Sequence, residues 1–200
     1  MTRGKLIPLR PMATAESHEI SDEALLAACA IGETTALGAL FDRHQRAVYR
    51  FISRLAGSDR RDLDDLVQAT FLEALRSAPR YRGDCMVRGW LFGIASNVVG
   101  HHARGEVRRR TFHARLVDEP TRAPTRPDEA VERGLLLERV GQALAGLPHR
   151  LRVVYVMCEL EELPGVEVAR LLGLRAGTLW RLLHEARVAL RAALEGSSGS

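Results

Sequence analysis

The sequence predicts an all-α protein with two helical domains joined by a flexible Pro-rich linker. Of its 200 residues, 46% are hydrophobic but only 5% are aromatic, so Leu, Ala and Val must supply most of the core. Ala, Leu, Arg and Glu are also good helix formers. Apolar residues recur at helical spacing along most of the chain. Continuous strand patterns are nearly absent, and residues 153–157 are the one short candidate.

The first domain is predicted over residues 21–112, after a flexible tail over residues 1–20. A first helix is expected to begin at Ser21 or Asp22, since either side chain can cap it. Three longer helices with apolar faces are expected over residues 35–55, 63–75 and 87–109. The stretch "SAPRYRGDCM" between the last two is expected to be a loop, because it contains Pro and Gly.

The second domain is predicted over residues 131–195. Its helices are expected near residues 128–145, 148–159, 164–172 and 176–194. Between the domains, residues 113–130 contain three prolines and no apolar periodicity, which is typical of a linker. Residues 196–200, "GSSGS", are expected to form a second flexible tail.

A helix-turn-helix pattern lies in the second domain, where Ala169, Gly173 and Leu179 follow one another at intervals of four and six residues. The small Ala lets two helices cross closely, the Gly permits a left-handed turn, and the Leu seats the second helix on the core. The core face of that helix is expected to consist of Leu179, Leu183, Ala186 and Leu190. Arg181 and His184 then lie on the open side. The pattern indicates a DNA-binding unit, and an ordinary helical hairpin with a glycine turn is the alternative.

The net charge of +4 is consistent with a polyanionic partner but does not require one. Lys5 is the only lysine, so nearly every cation is an Arg, which suits bidentate contacts with phosphates and bases. A basic run, "ARGEVRRR", ends the first domain and places Arg104 and Arg108 on one helix face. We expect this face to meet phosphates, and a solvated helix end is the alternative.

No catalytic or metal-binding motif occurs in the sequence. His101 and His102 are adjacent and point in different directions, and metalloprotease, phosphate-loop and serine-hydrolase motifs are missing. We therefore expect no catalysis, no cofactor, no metal and no small-molecule substrate. Cys29, Cys85 and Cys158 form no CxxC pair, so they are expected to be small buried hydrophobic residues in a reducing compartment. Without a run of about 18 apolar residues, no membrane insertion is expected, and the expected location is cytoplasmic.

The segment "DLDDLVQATFLEAL" predicts an amphipathic helix with an acidic N-terminus. At helical spacing Leu66, Val67 and Phe71 are not expected to face one core together. A partner surface on this helix is the resulting hypothesis.

Four ordered segments between residues 22 and 194 resemble bacterial extracytoplasmic-function (ECF) sigma factors of RNA polymerase. "LFDRHQRAVYRF" is similar to the first conserved stretch of region 2 of that family, and "DLDDLVQATFLEAL" is similar to its polymerase-binding helix. "YRGDCMVRGWLFGIASNVVGHHARGEVRRR" resembles the segment that melts the promoter and reads the −10 element. The chain from Leu147 to Leu194 resembles region 4, which includes the helix-turn-helix.

The resemblance implies that region 2 binds core RNA polymerase and captures the −10 element of promoter DNA, while region 4 reads the −35 element. The residues matching the polymerase-binding helix are Asp62, Asp65, Leu66, Val67, Gln68 and Phe71. The residues matching the −10 segment are Arg80, Tyr81, Arg82, Asp84, Asn97, Arg104 and Arg108. Those assigned to the −35 element are Arg175, Thr178, Trp180, Arg181, His184 and Arg187. The resemblance also implies an anti-sigma factor, wedged between the two domains.

The sequence departs from the family pattern at several positions. Ala69 stands where the family usually has Glu, and His101 stands where Asp is common. In the recognition helix, Trp180, Leu182 and Glu185 replace residues that are usually Lys or Arg. We therefore expect fewer phosphate anchors, and either an unusual −35 preference or a greater dependence of region 4 on polymerase.

A sigma factor is the function that the four motifs favour. A helix-turn-helix DNA-binding regulator that acts independently of polymerase is the alternative, because that one motif is compatible with both. The polymerase-binding helix and the two-domain layout argue against this alternative. No motif indicates the third class, an enzyme or a pure interaction protein.

Overall fold

The computed structural model describes residues 20–56, 62–113 and 131–196, and every regular element in these ranges is helical. The α-helices are α1 (Asp22–Ala30), α2 (Thr34–Ala56), α3 (Leu63–Ser77), α4 (Val87–His113), α5 (Val131–Gly146), α6 (His149–Tyr155), α7 (Gly165–Leu171) and α8 (Ala176–Gly196). The all-α prediction is confirmed, and residues 153–157 lie in α6 and the π-helical turn after it. The predicted linker and both predicted tails lie outside the described residues, except for one terminal residue of each.

Helices α1 to α4 form an N-terminal bundle. The rings of Phe51 and Phe92 are stacked at its centre with their centroids 4.4 Å apart, and they join α2 to α4. Helix α1 begins as expected at Ser21, whose Oγ accepts a hydrogen bond from Ala24 N at 3.2 Å. The predicted loop before α4 begins with Ser77, which is the last residue of α3, continues as the 3₁₀ turn Ala78–Arg80, and is irregular over residues 81–86.

A partly buried ionic contact holds α1 against α2. The carboxylate of Asp22 accepts from the guanidinium of Arg43 and lies 2.7 Å from Nε2 of His44. His44 is buried in the bundle, and no sequence motif predicted its contact with Asp22. The contact satisfies a buried imidazole that would otherwise weaken the core.

Helices α5 to α8 form a C-terminal unit that contains the predicted helix-turn-helix. Gly173 follows α7 with φ +63°, and its N–H donates to Arg170 O at 3.1 Å. The next N–H, of Leu174, donates to Ala169 O at 2.7 Å. These two bonds form a Schellman motif, which ends α7 and turns the chain toward α8. Ala169 and Leu179 are buried as predicted.

A widened turn, Val156–Leu160, ends α6 and leads into a strained residue. Glu161 N donates to Val156 O at 2.9 Å, and Leu163 N donates to Met157 O at 3.0 Å. Between them, Glu162 has φ 54°. A side chain at this left-handed φ costs about 1–2 kcal/mol relative to the ordinary helical region. The chain therefore reaches α7 through a conformation that favours glycine.

The two halves share one hydrophobic core, in which Phe92 and Leu91 of the bundle belong to the same cluster as Leu179 and Val168 of the C-terminal unit. Arg152 joins the halves as well, since its guanidinium donates to Leu55 O at 2.5 Å and to Leu147 O at 2.8 Å. Both carbonyls lie at or just beyond helix C-termini, where a cation is favoured. The linker pattern did not predict this contact between the halves.

We predict that Glu162→Gly raises the stability of the protein by about 1 kcal/mol, because glycine adopts positive φ at little steric cost. Chemical denaturation followed by circular dichroism measures the change. Glu162→Gln is the matched control, since it removes the charge but retains the Cβ that causes the strain. An equal gain from both variants would assign the effect to charge instead.

The second prediction concerns His149, whose Nε2 donates to Ser96 O at 3.2 Å. Burial lowers its pKa below the ordinary 6.5; the bond to Ser96 opposes the shift, and repulsion from Arg152 and Arg104 adds to it. The folded chain therefore binds fewer protons than the unfolded chain as the pH falls through 6.5. The stability contributed by neutral His149 is present above this pH and is lost progressively below it.

The melting temperature should accordingly fall between about pH 7.5 and 5.5, within the range where histidines titrate. His149→Gln should flatten this dependence, because glutamine does not titrate. Thermal melts at several pH values measure both slopes. Parallel slopes for the two proteins would show that another group governs the dependence.

Candidate protein and nucleic-acid interfaces

Helix α3 presents an open face of mixed polarity to solvent. Its exposed residues are Asp64, Asp65, Gln68, Ala69, Leu72 and Arg76. Leu72 is 50% exposed and gives this face its one large apolar side chain. The sequence prediction included Asp65 and Gln68 but missed Asp64 and Leu72, although all four recur at helical spacing.

The expectation that Leu66, Val67 and Phe71 do not face one core together is wrong. All three are buried, at 5%, 5% and 3% exposure. Helix α3 packs against α1, α2 and α4, so a wider arc of its surface is apolar than one partner helix requires. Phe71 also meets the Phe41 ring edge-on, with centroids 4.9 Å apart. These residues hold the helix in place, while the polar side chains between them face outward.

Asp62 also lies apart from this open face. Its carboxylate is 3.0 Å from Nε2 of His102, so the side chain at the start of α3 points to α4.

A groove of about 530 Å³ runs between α2 and α3 beside this face. Its lining consists of Phe41, Gln45, Arg46, Tyr49, Arg50, Asp64, Val67 and Gln68. Tyr49 is 42% exposed, and Arg46 and Arg50 are exposed beside it. The spacing of these α2 residues places them on one helix face, and that signal in "LFDRHQRAVYRF" could have identified the groove.

The loop before α4 holds two exposed arginines and one anchored tyrosine. Arg80 and Arg82 are exposed, whereas Tyr81 is half-buried and donates its hydroxyl to Cys85 O. Its ring meets Trp90 edge-on, with centroids 5.4 Å apart. Burial is the main cause that raises the pKa of Tyr81, so the phenol remains a hydrogen-bond donor. Tyr81 therefore fixes the shape of the loop from which the arginines project.

Asn97 and Arg104 are exposed on α4 and line a cleft of about 260 Å³. The opposite wall of this cleft belongs to the C-terminal unit and includes His149 and Leu172. The remaining predicted residue of this segment, Arg108, lies in α4, but its side chain falls outside the part of the chain that is described. The cleft thus combines residues from both halves.

Helix α8 has the two faces that the sequence predicts. Leu179, Leu183, Ala186 and Leu190 are buried. Trp180, Arg181 and His184 are exposed on the other side, together with Arg175 at the entry to the helix. Leu182, which replaces a usual cation of the family, is only 4% exposed and belongs to the core. Leucine at this position therefore extends the core and does not belong to the exposed side of α8.

Two of the exposed arginines of α8, Arg181 and Arg187, are engaged in ion pairs. Arg181 pairs with Glu185 one turn along the same helix. Arg187 Nη2 lies 2.5 Å from Glu159 Oε1, on the segment before α7. Arg181 and Arg187 must therefore each release a carboxylate before they bind a phosphate or a base. Thr178, at the start of the helix, is half-buried.

The indole of Trp180 packs over the start of α7. A Cβ built on Gly165 would lie 2.7 Å from this ring, so a larger residue there would displace the indole. Trp180 nevertheless remains 53% exposed on the open side of α8. Trp180 is therefore held in position while offering an apolar surface to a partner.

The cysteines are free thiols. Cys29 is buried as expected, whereas Cys85 and Cys158 are half-buried. Burial is the main cause that raises the pKa of all three, that of Cys158 to about 11, so these thiols stay protonated. Within the described residues, no three His, Cys, Asp or Glu side chains are grouped so as to hold a metal ion. No helix in the same part of the chain has the length and apolarity to cross a membrane.

Comparison with known proteins assigns families to both halves. Residues 40–109 match the family model of Sigma-70 region 2, and residues 137–190 match that of Sigma-70 region 4. The ECF RNA polymerase sigma factor SigM of Mycobacterium tuberculosis is 32% identical over 173 residues, covering 86% of this chain and 84% of SigM. The probable RNA polymerase sigma-C factor of Mycobacterium bovis is 32% identical over 190 residues, covering 92% of this chain and 97% of that protein.

Solved structures agree with this assignment. CnrH, in its complex with the cytosolic domain of CnrY, is 27% identical and superposes with a TM-score of 0.60, covering 88% of this chain and 97% of CnrH. The sigma factor RpoE of Bartonella quintana, in complex with the anti-sigma factor NepR, has the same fold with a TM-score of 0.61 at 20% identity, covering 78% of this chain and 94% of RpoE. With a region 2 bundle, a region 4 helix-turn-helix and relatives that match along most of its length, the chain belongs to the ECF family of RNA polymerase sigma factors.

Proposed function

We propose that this sigma factor docks on core RNA polymerase through the open face of α3 and the groove beside it. The observation that supports this docking face is the exposure of Asp65, Gln68 and Leu72 on a helix that packs against α1, α2 and α4 with its apolar residues. A half-exposed leucine between acidic and amide side chains gives an apolar centre with a polar rim, the composition of a protein-binding surface. Leu66, Val67 and Phe71 support this surface from below.

Promoter contacts fall on two other surfaces in this proposal. Arg80, Arg82, Asn97 and Arg104 on the bundle would bind the −10 element, with Tyr81 shaping the loop. On α8, Arg181 and His184 would approach base edges, Arg175 and Arg187 would hold phosphates, and Trp180 would contact a sugar or a thymine methyl. The protein acts by binding in this scheme and catalyses no reaction itself.

The two units correspond to residues 21–112 and 131–195 in this proposal, with residues 113–130 as the connection. Transcription places the protein in the cytoplasm, where core polymerase acts on DNA. The structure of CnrH is a complex with a cytosolic protein domain. That complex supports a regulatory protein, of the anti-sigma type, as a further partner of this chain.

The docking prediction is that Asp65→Ala and Gln68→Ala each weaken binding to core polymerase by about 1–3 kcal/mol, the range of interface hot spots. Leu72→Ala should weaken binding by a similar amount, because it removes the apolar centre of the docking face. The fold should stay intact, because the leucine is half-exposed and its loss leaves no cavity in the bundle. Titration of labelled sigma factor with core polymerase measures the affinities. Glu33→Ala, an exposed carboxylate between α1 and α2, is the control and should change nothing.

Unchanged affinity in all three variants, with helical content intact by circular dichroism, would contradict this docking face. Loss of binding in the Glu33 control would instead point to a general effect of charge.

The promoter prediction concerns the ion pair on α8. Arg181→Ala should relax the preference at one −35 position by about 1–3 kcal/mol, since a bidentate Arg–base contact is lost. Arg187→Ala should weaken binding across all sequences and reduce the salt slope by about one unit. Glu185→Gln should strengthen binding, because it frees Arg181 and removes a repulsive charge.

These three variants are compared on a panel of −35 sequences at two salt concentrations, by promoter binding and by transcription with core polymerase. A combined Arg181→Ala and Glu185→Gln variant separates the two effects of Glu185, because no arginine remains to be freed. If Arg181→Ala leaves the sequence preference untouched, α8 does not read bases through this residue.

A further inference from the structure

Arginines along the boundary between the two halves are paired with acids from the opposite half. Glu161, in the segment between α6 and α7, accepts from Arg54 Nη1 at 2.5 Å and also from Arg88. Arg170 Nη1 of α7 lies 2.9 Å from Asp84 Oδ2 in the loop before α4. At these points the boundary balances each positive charge with a negative one.

The cleft of about 260 Å³ on the same boundary lacks this balance. Arg104 of α4 and Arg150 of α6 both line it, and both are exposed. Among the described residues that line the cleft, none is acidic, and no carboxylate in the described part of the chain is paired with either arginine. One arginine from each half therefore faces the cleft with its charge uncompensated.

His149 adds to the positive character of this cleft. A Cβ built on Gly100 would lie 2.9 Å from His149 Nε2 and 3.5 Å from Arg104 Nη1, so the imidazole and the guanidinium converge above one glycine of α4. Burial lowers the pKa of His149, the bond to Ser96 O opposes this shift, and repulsion from Arg152 and Arg104 adds to it. The repulsion follows from positive charge that no nearby acid offsets.

The remaining wall of the cleft is apolar. Val153 of α6 contributes to it, together with Leu172 and Leu174 from the turn after α7. Sites for drug-sized ligands have volumes of about 300–1,000 Å³, so the occupant of this smaller cleft is a small molecule. The lining therefore fits a ligand with an anionic end and a short apolar or aromatic end.

We propose that this cleft binds a phosphate monoester that carries a small apolar or aromatic group, such as a nucleoside monophosphate. The phosphate lies between Arg104 and Arg150, because guanidiniums present paired donors that match phosphate oxygens. The apolar end of the ligand lies against Leu172 and Leu174. The ligand is bound and is not converted, and it supplies the negative charge that acids supply elsewhere along the boundary.

Two sources of phosphate are possible at this position, a free monoester and the backbone of a nucleic acid. A monoester has a charge of about −1.5 to −2 at neutral pH, whereas a backbone phosphodiester has a charge of only −1. Two unpaired guanidiniums match the monoester, and the closed apolar wall leaves no exit for a continuing strand. The inference goes beyond the proposed function and does not depend on it.

Isothermal titration calorimetry on the full-length protein tests the ligand class. The probes are adenosine monophosphate and phenyl phosphate, and adenosine and phenol are their matched controls without a phosphate. Both monoesters should bind at one site, about tenfold more tightly than inorganic phosphate, because their apolar ends bury additional surface. Adenosine and phenol should give no measurable binding. The monoesters should also raise the melting temperature, because they bind the folded state.

Three variants locate the site. Arg104→Gln and Arg150→Gln remove a charge but keep a side chain of similar polarity, and each should weaken adenosine monophosphate binding about tenfold or more. Arg46→Gln is the matched control: it removes the same charge from an exposed position on α2, outside the cleft, and should leave the affinity unchanged. Circular dichroism checks that the helical content of each variant is retained.

Several results would overturn this proposal. Neither monoester giving saturable binding is one, and equal weakening by Arg46→Gln and the two cleft variants is another, since the effect would then follow from net charge. If only one of the two cleft arginines affects binding, the phosphate does not join the halves. If a single-stranded oligonucleotide without a terminal phosphate binds through both arginines while the monoesters do not, the cleft is a nucleic-acid site instead.

Discussion

Helix α4 is buried on one side against the bundle and on another against the C-terminal unit, and this packing determines which of its residues stay exposed. One side carries Leu91 and Phe92 into the bundle, whereas the other is a row of small residues beneath the C-terminal unit. The helix consequently has few polar positions in its middle, and its exposed residues are confined to narrow strips. Asn97 and Arg104 lie on one such strip, where the assigned −10 surface meets the boundary between the halves.

The arginine-rich composition serves the inside of the molecule as well as its surface. Arg54, Arg88, Arg152 and Arg170 all bridge the two halves. A guanidinium suits this role, because it offers several donors in a fixed plane and stays charged when partly buried. A count of cations therefore overestimates the number available to DNA. The same limit applies to α8, where Arg181 and Arg187 begin from ion pairs with carboxylates of their own unit.

Helical periodicity was sufficient to locate the helices, the helix-turn-helix and the core face of α8. The turn at Gly173 was predictable because only one backbone conformation closes it, and that conformation favours glycine. Periodicity did not predict the burial of Leu66, Val67 and Phe71, because it shows which positions are apolar but not how many neighbours a helix has. The anchoring role of Tyr81 was not predictable either, since it depends on Trp90 from the next helix.

Contacts between the halves lay beyond sequence reasoning for a related reason. Glu161 is one of several acids in "CELEELPGVE", and nothing in that run distinguishes it from Glu159 or Glu162. Its partners are more than 70 residues away in the chain, as the separations of 107 and 73 residues to Arg54 and Arg88 show. The glycines of α4 could have been noticed in the sequence, because three glycines on one face of a long helix indicate that another element packs closely against it. Only the structure shows that this element belongs to the C-terminal unit.

The placement of Trp180 over Gly165 limits how this protein can evolve. A side chain larger than glycine at position 165 requires the indole to move, whereas glycine at position 165 accommodates a smaller residue at position 180. The dependence between the two positions therefore runs in one direction. Substitution of Trp180 by a smaller residue can come first, and a larger residue at position 165 fits without displacing the indole only after that change.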